Sequence, residues 1–387
     1  MSETKAKGLY AGVGEELTHY ELDVAGAALL KKSSVTLPAN VQYVWPHPSR
    51  RYLYVTTSDR VRGQEGEKHD LVTFRIADDG SLEQVGTPMR LPHRPIHVTV
   101  DAAGKRLAVS FNGAGVKRGP GTALLYRIRD DGASVEPAPS HPAVDAGMYP
   151  HQARFTPDDS KLLVCARGNN ASAGHGEDPG ALKIFDTRND ALTLASEVPY
   201  PAGLGPRHLD IHPDKRWVYV SMERGNKLCM HRMDAEGNIQ PAIVHTKSTL
   251  ADEASGQRKR QLAGTLHVHP AGTHVYVANR ADGTIDDVFE GGENNIAVYR
   301  IDAQTGEPTL VQHEDTRGMH PRTFALDPSG RVMVVAHVLS RRRRDGDSIT
   351  NVPVTLSVFR VNDGKPEYVR KYDIETGKKT LFWMGII

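Results

Sequence analysis

The chain has 387 residues, and its 48 Lys and Arg nearly balance 47 Asp and Glu, for a formal net charge of +1. That balance argues against a nucleic-acid partner, which calls for a basic excess on one face. With Gly counted and Tyr not, the apolar share is about 45%, ordinary for a globular chain and too high for wholesale disorder.

In chain order, residues 1–7 carry charges with no apolar segment after them, so no secretory signal is expected. No apolar run approaches the roughly 18 residues of a membrane-spanning helix, so no membrane partner is expected. Residues 8–13 and 17–23 read as short strands. From His47 onward one phrase recurs: a small loop with Pro, Asp or Gly, a basic residue, then an alternating apolar strand. Its copies begin at His47, Asp101, Thr156, His212, His269 and Asp327, at intervals of 54, 55, 56, 57 and 58 residues. A short strand precedes each copy, as at residues 97–100 and 207–211. A third strand follows a polar loop at 71–76, 123–128, 182–186, 296–301 and 356–361, and a turn such as Asp78-Asp79-Gly80 leads to a fourth. These runs are β-branched and aromatic, bounded by Gly, Asp and Pro, and no long segment has a 3.6-residue period.

A four-stranded unit of about 55 residues is a propeller blade. Six are visible, and residues 379–387 supply strand material that complements the N-terminal strands. The sequence therefore predicts an all-β, seven-bladed β-propeller with four-stranded antiparallel blades. The last blade is closed by N- and C-terminal strands, and residues 1–387 form a single domain. Closure removes the exposed edges that invite aggregation. Cys165 and Cys229 are the only cysteines, which suits a reducing cytoplasm and rules out a disulfide scaffold or a cysteine-based zinc site.

Alignment of the blades locates a candidate site. The first strand of each blade lines the axial channel, so equivalent positions share a ring. Five residues before each anchor stand Gln42, Ile96, His151, Arg207, Gly264 and Arg322. One position later stand Tyr43, His97, Gln152, His208, Thr265 and Thr323. Such polarity in the middle of a protein is costly unless paired or functional. The second strands end on Arg167, Glu223, Arg280 and His337, at a channel mouth where a ligand would meet them.

These residues carry a resemblance. Tyr149-Pro150-His151, Gly205-Pro206-Arg207-His208, Met222-Glu223-Arg224-Gly225-Asn226, Ala278-Asn279-Arg280 and Met319-His320-Pro321-Arg322 resemble the lactonase family of seven-bladed propellers. That family includes propeller-type 6-phosphogluconolactonases and carboxymuconate cyclases. The resemblance spans nearly the whole chain and is strongest from Gly205 to Cys229. It implies a catalytic set of His151, Arg207, Glu223 and Arg280. His97, Arg167, His208, His320, Arg322 and His337 are candidates for substrate contact. The loops at 169–180, 282–294 and 340–353 are long and polar, unlike those of shorter bacterial members, and are expected around the channel mouth.

Hydrolysis of a lactone needs an activated water, stabilisation of the oxyanion and a proton for the leaving alkoxide. Arg207 and Arg280 supply fixed positive charge, and guanidinium forks suit carboxylate or phosphate. Either His151 or Glu223 can serve as base; Glu223 as base with His151 as acid is the preferred assignment. The expected activity is a cytoplasmic lactonase on a small anionic lactone of the 6-phosphogluconolactone kind. The alternatives are a cycloisomerase forming a muconolactone from a carboxylated muconate, and a non-catalytic binding module. No cofactor is expected.

Three other motifs are read conservatively. His267 and His269 have the i, i+2 spacing of a strand metal pair, but no carboxylate cluster accompanies them, and His269 sits where a turn cap belongs. Arg341-Arg342-Arg343-Arg344 reads as a solvated loop partly neutralised by Asp345 and Asp347, with attraction of an anionic substrate as its functional reading. Gly113-Ala114-Gly115 and Gly119-Pro120-Gly121 precede no helix and are not dinucleotide cradles.

Overall fold

The computed structural model describes residues 8–61, 64–113, 119–138, 142–258 and 260–387. Seven antiparallel sheets follow one another around a central channel. Blade 1 comprises Asn40–Pro46, Tyr52–Ser58, His69–Ile76 and Leu82–Arg90, from the inner strand outward. Blade 2 has Pro95–Val100, Arg106–Phe111 and Pro120–Ile128. Blade 3 has Pro150–Phe155, Lys161–Ala166, Ala181–Asp186 and Thr193–Pro199; blade 4 has Pro206–Ile211, Trp217–Met222, Lys227–Arg232 and His245–Ser248. Blade 5 has Leu262–Val268, His274–Arg280, Asn295–Ile301 and Pro308–Asp315; blade 6 has Pro321–Leu326, Val332–His337, Thr355–Asn362 and Lys365–Asp373. In blade 7 the C-terminal Leu381–Ile386 is the inner strand, and the N-terminal Leu9–Val13, Glu16–Asp23 and Ala28–Thr36 complete it. Leu9 pairs with Ile386, so the two ends of the chain are zipped together by one ladder.

Seven apolar clusters fill the ring, one between each pair of neighbouring blades; Leu163, Leu182, Leu209 and Val220, for instance, interleave blades 3 and 4. Each blade is buried on both faces, which explains why the second strands read as nearly continuous apolar runs.

The recurring phrase is the turn between the inner and second strands. In each copy the anchor N–H donates across it, as from His47 to the carbonyl of Tyr52 and from Asp327 to that of Val332. Three anchors are clasps to the next blade: His47 Nε2 lies 3.1 Å from the Gly104 carbonyl, His212 Nε2 2.8 Å from that of Gly272, and His269 Nε2 3.2 Å from that of Gly330. The last explains His269 as a turn residue. Among the described residues no three His, Cys, Asp or Glu side chains are grouped to hold a metal. A second clasp comes from the second strands. Tyr10, Tyr54, Tyr219 and Tyr276 donate to Gly80, Gly132, Gly306 and Gly364 of the following blade at 2.6–2.8 Å.

Two features depart from the expected regularity. The outer edge of blade 2 is split, with Val135–Pro137 and Val144–Met148 both pairing with the third strand. Pro137 and Pro142 flank the break, and proline cannot donate to a ladder. Secondly, the loops of blades 5 and 6 do not remain loops. Thr284–Ile285, Val288–Phe289, Arg341–Asp345 and Ser348–Val352 form an eighth sheet, joined by a parallel bridge from Val288 to Arg342. The arginine run is one of its strands. Of the glycine-rich stretch, residues 114–118 lie outside the described residues, and Pro120 opens a strand. No helix among the described residues is long and apolar enough to cross a membrane.

The clasps are open to test. Tyr219→Phe leaves the buried Gly306 carbonyl without its donor and is expected to lower unfolding stability by about 1–3 kcal/mol in chemical denaturation. An unchanged midpoint would show that this bond contributes nothing to ring closure.

Candidate active site

Every inner strand departs from ideal pairing at the same place. The ladder skips one residue between Val41 and Tyr43, Pro95 and His97, Pro150 and Gln152, Pro206 and His208, and Pro321 and Thr323. Blade 5 skips Gly264 and Thr265, and blade 7 skips Phe382. The bulged residues are the column five before each anchor: Gln42, Ile96, His151, Arg207, Gly264 and Arg322. A bulge re-aims a side chain without ending the strand, and such bulges gather next to active sites.

Gln42, Ile96, His151, Arg322 and Phe382 thus line a cavity of about 220 Å³ at one mouth of the channel, together with Arg60, Arg94, Tyr149, Arg167, Glu223 and Arg280. Glu223 is the charge centre. One carboxylate oxygen meets the Arg280 guanidinium and lies 3.1 Å from Arg207 Nε; the other lies 2.8 Å from Arg167 Nη1. Arg207 is 1% exposed and Glu223 5%, with Arg207 packed behind the cavity rather than in its wall. Burial pushes the Glu223 carboxyl up, but Arg280, Arg167 and Arg207 outweigh it and hold the group down at about 2. The carboxylate is therefore ionised and weakly basic. Burial acts the other way on the cations and lowers Arg207 and Arg280 from the usual guanidinium range.

His151 is buried beside this cluster with Nδ1 unpartnered, its ring 5.0 Å from that of His208. Burial, then Arg207, His208, Arg322 and Arg280, hold its imidazole well below 6.5, so it is neutral at neutral pH. Arg280 is held from its other side by His320 Nε2 at 3.0 Å. That contact makes Nε2 the acceptor and puts the proton on Nδ1, which faces Asp282 Oδ2 at 3.4 Å. Asp282 also takes both prongs of Arg260 at 2.6 and 2.8 Å, and Arg341 of the eighth sheet lies 3.7 Å away. The sheet is thereby tied to the site through one carboxylate.

Arg94 and Arg322 have no carboxylate partner among the described residues. Arg94 donates from Nε to Gln42 at 3.0 Å; Arg322 donates from Nε to the Phe382 carbonyl at 3.1 Å and lies 3.9 Å over the Phe382 ring. Burial and the neighbouring Arg280 and Arg94 push Arg322 down to about 10. Tyr149, 4.4 Å beneath the Arg167 guanidinium, and His320 both have a φ of 56° immediately before a proline. Non-glycine residues in that region are strained, and such strain concentrates at sites.

Of the ten site residues predicted from sequence, His151, Arg167, Glu223, Arg280 and Arg322 line the cavity, while Arg207 and His320 touch its charged groups. His97, His208 and His337 do not line it. His97 and His208 occupy the column after the bulge, where both feel the charge of Arg207 and His97 packs 3.9 Å from the Tyr43 ring. His337 is bound by Thr355 at 2.8–3.1 Å, against Gly318, where a Cβ would come within 2.5 Å of the ring. Sequence reasoning did not single out Arg94 or Asp282. Arg94, Tyr149 and His320 share the column seven before the anchor, a signal that was present in the repeat.

The model of the family described as lactonase, seven-bladed beta-propeller, matches residues 4–343. The chain belongs to this family. A protein named 6-phosphogluconolactonase from Bacillus subtilis is 24% identical over 370 residues, covering 91% of this chain and 94% of that one. Its namesake from Xenorhabdus nematophila is 27% identical over 326 residues, covering 82% and 83%. Among solved structures, the periplasmic gluconolactonase of Pseudomonas aeruginosa superposes with a TM-score of 0.70 at 23% identity, covering 95% of this chain and 96% of that one. A Lactobacillus plantarum protein superposes at 0.73 and 19%, covering 99% and 100%. Both share the fold of this lactonase-family chain.

The clamp on Glu223 has a consequence for acid stability. Its folded pKa of about 2 lies below the ordinary 4.5, so the carboxylate stabilises the fold above about pH 4.5. That contribution is lost as pH falls toward 2. Glu223→Gln leaves three guanidiniums without their counter-charge, an expected loss of about 3–5 kcal/mol at neutral pH. It should also flatten the dependence of stability on pH between 5 and 2. Denaturant melts across that range check both; parallel curves for the two proteins would contradict the clamp.

Proposed function

We propose that the chain, as a single propeller domain over residues 1–387, is a lactonase that hydrolyses a small anionic lactone at this mouth of the channel. The substrate class is a sugar-acid lactone bearing a phosphate, of the 6-phosphogluconolactone kind. The observation that carries the reading is the charge of the cavity wall. Arg94 and Arg322 add two guanidiniums with no carboxylate partner beside a cluster with a single buried glutamate. A dianionic group on the substrate matches that surplus. The names of the curated relatives support the same class.

On this reading His151 takes the proton of the attacking water as the water oxygen bonds to the lactone carbonyl carbon. Arg280 and Arg167, held by Glu223, face the carbonyl oxygen as it gains charge. The ring C–O bond then breaks, and the leaving alkoxide receives the proton from His151. The product hydroxy acid ionises, so one proton is released per turnover. Neutral His151 replaces Glu223 as the base, because both Glu223 oxygens are already engaged by Arg167, Arg207 and Arg280 whereas His151 Nδ1 is unpartnered. Glu223 and Arg207 are positioning residues. The proposed location is the cytoplasm, in keeping with two buried, unbridged cysteines.

A pH-indicator assay over a lactone panel is expected to show acid release, fastest with the phosphorylated lactone. His151→Asn should lower kcat about 10²–10⁴-fold. In the native enzyme the acid limb of kcat/KM should fall well below pH 6.5, because burial and the arginines depress His151. Arg94→Ala or Arg322→Ala should raise KM for the phosphorylated lactone more than for its unphosphorylated counterpart. Loss of diene absorbance from a carboxylated muconate, without lactone hydrolysis, would assign the cycloisomerase reaction instead. Activity in neither assay would leave a binding module.

A further inference from the structure

The opposite mouth of the channel, at the other end of the inner strands, holds a second cavity, of about 480 Å³. That is an ordinary size for a small-molecule site. Its wall is built by the inner turns of blades 1 to 4 and includes Trp45, Arg50, Arg154 and Lys215.

The six inner turns are equivalent, and the residue three beyond each anchor has a left-handed backbone in all of them. Three are glycines: Gly104, Gly272 and Gly330, with φ of 70–72°. Each must be glycine, since a Cβ would come within 2.3–2.7 Å of the histidine that clasps it from the preceding blade. The other three are Arg50, Asp159 and Lys215, with φ of 54°, 59° and 63°. Asp159 repays its strained backbone structurally: its carboxylate accepts from the Ala102 and Ala103 N–H groups of blade 2 at 2.7 and 2.9 Å. Arg50 and Lys215 make no ion pair among the described residues, and Arg50 Nη1 is covered yet has no hydrogen-bond partner. Both line this one cavity. The N–H groups of Arg50 and Lys215 close their turns onto the His47 and His212 carbonyls at 2.8 Å, as in the sister turns, and nothing in the turn itself calls for a cationic side chain there.

Other charges do not cancel them. Asp101 also lines the cavity, but its carboxylate is held by Arg106 at 2.8 Å and by the Lys105 and Arg106 N–H groups. Arg154 is balanced by Asp210 at 2.9 Å and lies 6.0 Å from the centre of the Trp45 ring.

We propose that this second mouth is a binding site for a small organic anion, a phosphate or carboxylate on a planar body. Arg50 and Lys215 take the charge, and the Trp45 indole takes the body. The site is separate from the first cavity and does not depend on the reaction assigned there.

Phenyl phosphate and benzoate are suitable probes, titrated into the full chain while tryptophan fluorescence is followed. Saturable quenching is expected with at least one of them, and its absence in Trp45→Phe assigns the signal. The double variant R50G/K215G places in these turns the residue that three sister turns already carry, so its unfolding temperature should not fall. Its affinity for the probe should weaken at least about tenfold. Arg322→Ala, at the other mouth, should leave the quenching unchanged. Phenyl phosphate binding without benzoate binding makes the ligand a phosphate, and the reverse makes it a carboxylate. Absence of saturable quenching by both probes, or equal affinity in the double glycine variant, overturns the proposal.

Discussion

A strand at the axis of a propeller has little freedom. Its side chains alternate between the channel and the blade interior, and the neighbouring inner strands crowd it from both sides. The bulge at the start of each inner strand relaxes that alternation at one chosen residue. It turns His151, Arg207 and Arg322 toward the axis while the next residue, Gln152, His208 or Thr323, returns to the ladder. Pro150, Pro206 and Pro321 precede these bulges, where a missing N–H costs no ladder bond. This repeated defect brings residues more than a hundred positions apart, such as His151 and Arg322, to one mouth, where the ends of the second strands meet them.

Convergence creates an electrostatic problem. The inner ring and the ends of the second strands bring Arg167, Arg207, Arg280 and Arg322 together in a buried space, where like charges repel strongly and desolvation is costly. Glu223 resolves most of it by meeting three of the four. The same interaction that keeps Glu223 ionised strips it of basicity, and the arginines lower the proton affinity of the His151 imidazole as well. His151 is kept neutral by the field that keeps Glu223 charged. One set of charges thus sets both states.

Much of this was legible in the sequence. The even spacing of the six phrases marks the blades, and alignment on the anchor puts His151, Arg207 and Arg322 in one column. The bulge was not legible, because skipping a residue leaves no mark in composition or alternation. That is why His97 and His208 group with the site in sequence although neither lines the cavity. His337 ends its strand as Arg280 does, yet Thr355 and Gly318 enclose it, and neither belongs to the repeated phrase. The eighth sheet was hidden for a different reason. Its strands come from loops of two blades, and a parallel bridge between Val288 and Arg342 has no local signature. Arg341-Arg342-Arg343-Arg344 looked like a solvated loop because charge, not alternation, dominates it.

The joining of that sheet to the ring bears on how such a fold changes its substrate. Asp282 is the second residue after the strand that ends on Arg280, and it holds Arg260, His320 and Arg341 at once. The loops beyond it can vary in length and pairing while that carboxylate keeps His320, and through it Arg280, in place. A rigid ring thus supplies the charges, and the loops above it supply shape. The loops meet the ring at two residues: the Asp282 carbonyl accepts from Arg341 Nε at 3.4 Å, and Asn294 Oδ1 accepts from the His320 and Ala281 N–H groups. This separation accounts for a chain that brings Arg207, Glu223 and Arg280 together beside His151 while its own loops fold into a sheet of their own.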